Sequence, residues 1–216
     1  MIYLKKILFT SVFIIIGAIG VALSLKAAVG VGAWDAFSQS TSMVTGIKVG
    51  TFSMMMNISC VLLQILILRK DFNPLGFLQI GMAVLLGLVV NIMFYDVLSL
   101  FTIDHYLLNL LLFMGALMIV IFAVSLIMSI EFLSFPLEAA CLVVAEKMNM
   151  KFGFVRQMVD FACIIGAIAL AWIFNNPTTV REGTIIGMLL FGPLIAIFMD
   201  RFKPFVRRLG LLDRSM

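Results

Sequence analysis

Residues 7–25 read ILFTSVFIIIGAIGVALSL, a stretch without a single charged side chain. At 1.5 Å of rise per residue, a helix of this length matches the roughly 30 Å hydrocarbon core of a bilayer. Its apolar residues are continuous. They lack the three-and-four spacing that a surface helix of a water-soluble domain shows. Such a run is read as a helix that crosses a membrane.

The rest of the chain agrees. Of its 216 residues, 63% are hydrophobic and 12% charged, with a mean hydropathy of +1.20, whereas soluble domains are about half apolar and a quarter charged. A membrane barrel would alternate apolar and polar residues along each strand, and no such alternation occurs. Lipid offers the backbone no hydrogen bonds, so the class is all-α. Six apolar runs are predicted to span: about Ile7 to Ala28, Gly50 to Leu68, Pro74 to Leu98, Tyr106 to Ile130, Phe154 to Phe174 and Gly183 to Met199. The signals between them, Arg69 to Pro74, Thr102 to His105 and Asn175 to Thr178, are too short to link domains. Residues 1–216 therefore form a single membrane domain. Lys5-Lys6 before an apolar run resembles a signal peptide, with Leu25-Lys26-Ala27-Ala28 as a poor cleavage site, but the run is too long and further spans follow. It reads as an uncleaved first span.

Cytoplasmic loops beside spans carry excess Lys and Arg. With the N-terminus inside, Lys5, Lys6, Arg69, Lys70, Lys147, Lys151, Arg156, Arg201, Lys203, Arg207, Arg208 and Arg214 fall on the cytoplasmic side. Only Lys26, Lys48 and Arg181 fall outward or within the membrane. Both termini are thus expected to be cytoplasmic. The formal charge of +4 reflects this clustering and does not point to nucleic acid. Cys60, Cys141 and Cys163 sit in apolar surroundings without CxxC spacing and read as small buried hydrophobes.

Two segments, Val29 to Val49 and Glu131 to Phe152, contain stretches too short to cross and look like half-helices or re-entrant pieces. Sliding the chain on itself by 103 positions superposes them: Ala36 meets Ala139, Lys48 meets Lys151, Gly50 meets Gly153, Cys60 meets Cys163, and Asp35 meets Glu138. One ends at Gly46 and the other at Asn149, residues suited to a left-handed helix end, and each is followed by a lysine two residues on, favourable near a helix C-terminus. Repeat one would be residues 1–100 and repeat two 101–216. With three spans each, the halves are expected to be inverted in topology, as in many secondary transporters whose sites lie where broken helices meet.

Ionisable groups inside a membrane are costly and face a partner or a wet cavity. Two readings fit Asp35, which follows the chain break expected at Gly30 and Gly32. It either binds a cation, an amine or a proton, or it satisfies the N–H groups and dipole of a helix start. Glu138, two residues after Pro136 at a first helical turn, has the same two readings. Lys26 either snorkels to the interface or serves a site. Asp160 lies four residues from Arg156 on one helix face, as a local ion pair would. Its counterpart in the shifted alignment, Asn57, suggests a polar group for interhelical bonding, as do Gln64, Gln79 and Asn91. Trp34 is either an interfacial anchor or a ligand-facing ring. The sixteen methionines are packing residues before they are soft-metal ligands. His105 is the only histidine, which leaves no zinc-protease motif and no Ser-His-Asp triad, and no phosphate-binding glycine loop occurs. The expectation is a non-enzyme without cofactor or metal.

Gly30-Val31-Gly32-Ala33-Trp34-Asp35, followed by Thr45-Gly46-Ile47-Lys48-Val49-Gly50-Thr51, resembles the signature of the YczE/YyaS/YitT-like bacterial integral membrane proteins. The likeness extends to Gly183-Thr184-Ile185-Ile186-Gly187 and Phe191-Gly192-Pro193-Leu194-Ile195. In the second half the family tends to carry a Gly-rich turn with an acid; Leu133-Ser134-Phe135-Pro136-Leu137-Glu138 keeps the acid and loses the glycines. The resemblance implies two related halves and a bacterial cytoplasmic membrane location. The expected function is a small-solute transporter or permease-like protein with its site between the repeats. The alternative is a non-catalytic capture subunit or scaffold, with the basic C-terminus docking a cytoplasmic partner or anionic lipid.

Overall fold

The computed structural model describes residues 2–101 and 103–211, so Thr102 and Arg214 lie outside the described residues. Among those described, eight α-helices and no strands occur. They are α1 (Ile2–Ala27), α2 (Ala33–Thr45), α3 (Val49–Leu68), α4 (Leu78–Asn91), α5 (Tyr106–Ser129), α6 (Pro136–Met148), α7 (Phe152–Ile173) and α8 (Glu182–Arg208). Six segments are long and apolar enough to cross a membrane, and α2 and α6, of 13 residues each, are not. The protein is a polytopic all-α membrane protein. Its outer surface carries the apolar side chains that lipid requires, including Leu66, Leu111, Ile165 and Leu189, and Trp172 is 83% exposed. In water, so large an apolar patch would drive association.

The third span reaches full length by joining α4 to a wider π turn over Ile92–Val97 and short 3₁₀ turns at either end. The last span runs past the expected Met199 to Arg208, with Pro193 and Pro204 inside it. The helix continues through the charged residues beyond Met199 and does not stop at them.

The paired helices α1 and α5 form the centre of the bundle. Gly20 lets α1 approach closely: a Cβ there would lie 2.7 Å from Val120. Small residues at such crossings let backbones touch, which is how helices associate in lipid. Around this centre α4 packs on α1 and α3, α8 on α5, α2 on α7, and α6 on both α3 and α7.

Polar side chains bind α3 to α4 as expected. Asn91 accepts from the Gly50 N–H at 2.9 Å and donates to Thr51 Oγ1 at 2.9 Å. Gln64 donates to Gln79 at 2.9 Å and to the Pro136 carbonyl at 3.2 Å. Asn57 departs from the expectation: its amide donates at 2.9 Å to the Ser53 carbonyl of its own helix, because the carbonyl one turn back is always within reach. Between Gly50 and Gly87 the backbones meet so closely that a side chain at either would strike the other's carbonyl. Gly87→Val is therefore expected to lower stability by about 1–3 kcal/mol through overpacking, read as a fall in melting temperature in detergent; an unchanged value would contradict this packing. By contrast α7 and α8 scarcely meet. That separation positions the site.

Candidate functional site

After α1 the chain turns back on itself. Ala28 and Gly30 adopt positive φ, 52° and 122°, and the extended segment they begin is laid against the start of α8. Gly183 N–H donates to the Val29 carbonyl at 3.0 Å, Val31 N–H to Thr184 Oγ1 at 3.3 Å, and the Arg181 guanidinium to the Ala28 carbonyl at 2.5 Å. A Cβ on Gly30 would sit 2.7 Å from the Thr184 nitrogen, so this glycine is required twice over, by conformation and by space. Gly32 is not required: it precedes α2 with φ −52° and ψ 152°, an ordinary extended conformation. The expectation of a two-glycine break narrows to Gly30.

The second short helix starts with Pro136 at its first position, where a missing N–H costs nothing. The left-handed ends expected at Gly46 and Asn149 are present, with φ 73° and 53°. Lys48 and Lys151 serve as the caps from which α3 and α7 begin, so each lysine belongs to a turn between two helices.

A cavity of about 100 Å³ opens between α7 and α8, its floor made by α1, α2 and α5. Its polar wall consists of Ser24, Asp35, Arg156 and Asp160; its apolar wall includes Trp34, Phe113, Leu117, Met188 and Phe191. Asp160 lies eight residues into α7, about 12 Å from its start. Gly187, also on the wall, lies five residues into α8, about 8 Å from its start. The site is thus deep within the span.

Arg156 organises the charges. Its guanidinium donates to Asp160, one turn on, and its Nε lies 3.7 Å from Glu138 Oε1 of α6. All three side chains are largely enclosed, between 15% and 19% exposed. The Asp160 pair is the one expected from the spacing. Arg156, grouped by the charge asymmetry with the basic residues of the cytoplasmic side, has a largely enclosed side chain held between two carboxylates. Glu138 faces this guanidinium but does not reach the cavity wall. Asp35, in the first turn of α2, has no hydrogen-bond or ion-pair partner among the described residues and looks into the cavity.

Trp34 is not a surface anchor. Its ring packs among Leu137, Cys141, Val155 and Cys60, where α2 meets α6, α7 and α3, and its buried Nε1 has no acceptor. Lys26 and Asn57 stand apart from the cavity; Lys26 borders an outer crevice with Gln39, Tyr95 and Ser99. Among the described residues, no three His, Cys, Asp or Glu side chains gather as a metal would need. The residue that the sequence reading left off the candidate site is Arg156. Its pairing with Asp160 was legible, but the second partner, Glu138, comes from α6, 18 positions away.

A family model described as a family of unknown function, DUF6198, matches residues 4–200. The chain belongs to the DUF6198 family. This DUF6198 protein is also 22% identical over 194 residues to the "Uncharacterized protein YyaS" of Bacillus subtilis (strain 168), an alignment covering 90% of this chain and 92% of that one. That agrees with the resemblance carried by the Trp34-Asp35 segment. No solved structure matches it.

Proposed function

We propose that this DUF6198 protein is a small-solute transporter of the bacterial cytoplasmic membrane, with its site in the cavity that Asp35, Arg156 and Asp160 share. The observation that carries the reading is the placement of charge: carboxylates and a guanidinium are gathered deep in the span, around space, at the starts of two broken helices. Intramembrane charge is costly and is kept where a pathway uses it, and binding where discontinuous helices meet is the plan of many secondary transporters.

The order of the helices supports an arrangement of two inverted repeats, and with it the same reading. Each half runs long, short, long, long, and contacts exchange between halves: α2 packs on α7 as α6 packs on α3. One pair breaks the correspondence. α3 is sealed to α4, whereas α7 and α8 stand apart around the cavity, the asymmetry that a protein open to one side at a time would have. The basic residues beside span ends support a cytoplasmic location for both termini.

The test is flux into proteoliposomes. Asp35→Asn is expected to reduce transport at least tenfold while the protein inserts and elutes as a folded species; normal transport by that variant would remove Asp35 from the site. The second reading, a capture subunit or scaffold, draws on the exposed basic end of α8, with Arg201, Lys203, Arg207 and Arg208. It is favoured instead if purified protein carries no solute and a stoichiometric partner co-purifies from gently solubilised membranes.

A further inference from the structure

The cavity's charge does not balance, and the imbalance indicates what belongs there. Two carboxylates, Asp160 on the wall and Glu138 behind it, pair with one guanidinium, Arg156, and a third carboxylate, Asp35, lines the same cavity. The starts of α2 and α6 contribute positive potential as well, each equivalent to about half a charge. Together they offset one of the two excess negative charges, and one remains. It resides on Asp35, because Glu138 and Asp160 both lean on Arg156 while Asp35 has no partner among the described residues.

The surroundings of that charge select the kind of cation. Hard metal ions demand about six oxygen ligands, but most of the lining that Asp35 shares is hydrocarbon and aromatic, with Trp34, Phe113, Leu117 and Phe191. Rings beside a carboxylate are the chemistry that holds alkylammonium groups, through cation–π attraction and apolar contact together. The cavity is small, about 100 Å³, which favours a compact headgroup and leaves any longer tail to extend through the gap between α7 and α8.

We infer that the cavity binds a small monovalent organic cation of the alkylammonium class, with Asp35 as its counter-charge and Trp34, Phe113 and Phe191 as its apolar and aromatic wall. This rests on the transport reading only for its purpose, since binding is measurable without flux. The experiment uses the purified full-length protein in nanodiscs, titrated calorimetrically with tetramethylammonium, with tert-butanol as a neutral compound of similar shape, with isobutyrate as an anion and with potassium as an inorganic cation. Tetramethylammonium is expected to bind at least tenfold more tightly than each of the other three. Asp35→Asn is expected to abolish that preference and Asp35→Glu to retain it in part; retention by Asp35→Glu with loss in Asp35→Asn separates lost charge from lost fold. Equal or tighter binding of the alcohol, the anion or potassium, an unchanged preference in Asp35→Asn, or no binding of tetramethylammonium would overturn the inference. Proteoliposome flux then separates the two readings. Cation binding without cation flux leaves the ligand class standing and defeats transport, whereas flux of a neutral or anionic solute without cation binding does the reverse.

Discussion

Arg156→Ala is expected to destabilise the protein by about 3–5 kcal/mol, the cost of removing one member of an enclosed ion cluster and stranding its partners. Glu138 and Asp160 would be left facing each other across α6 and α7 with no positive group among them. Two like charges would then share an enclosed space, relieved only if the helices part to admit water. The discriminating comparison is the neutral triple variant Arg156→Gln, Glu138→Gln, Asp160→Asn, in which no charge is stranded. It is expected to recover most of the lost stability, because replacing a whole buried cluster costs far less than breaking it. Melting temperature in detergent, followed by loss of the monodisperse elution peak, reads both. If Arg156→Ala melts with the unmodified protein, the cluster is not enclosed as described.

The second large effect belongs to the chain break. Gly30→Ala is expected to cost about 3 kcal/mol, the sum of a non-glycine residue forced into a sparsely allowed conformation and a methyl group pushed against backbone. The clash is with the Thr184 and Gly183 nitrogens, so the segment that carries Trp34 and Asp35 would be displaced from α8. Gly32→Ala, two residues on, is the control. Its Cβ would meet only the Asp35 carboxylate, at 3.5 Å, an ordinary contact, and the change is expected to stay within about 0.5 kcal/mol. Equal effects at both positions would show that φ at Gly30 does not matter.

Much of this architecture was legible in the sequence for a physical reason: lipid permits few structures, so apolar length translates into spans. The two short helices were legible as well, because Gly46, Pro136 and Asn149 are residues whose backbone preferences fix helix ends. What could not be read was which helices meet. The spacing of Arg156 and Asp160 exposes a local pair, but nothing local shows that Glu138 joins it or that Asp35 faces the same space. The offset of 103 positions pairs Asp35 with Glu138 and suggests equal roles. The structure makes them unequal, since one is tied to Arg156 and the other is without a partner among the described residues. Trp34 misled for a similar reason: aromatic residues near span ends are usually interfacial, and only the return of the chain at Gly30 carries this ring to the interior.

The central claim is that the space between α7 and α8 is a solute site entered from water. Accessibility of single cysteines tests it most directly, in a background where Cys60, Cys141 and Cys163 are alanine. Met188→Cys, on the cavity wall, should react with a membrane-impermeant methanethiosulfonate reagent and be protected by tetramethylammonium. Val61→Cys, fully buried in α3, should not react. A Met188→Cys protein that resists the reagent, or reacts equally with and without the cation, would contradict the account.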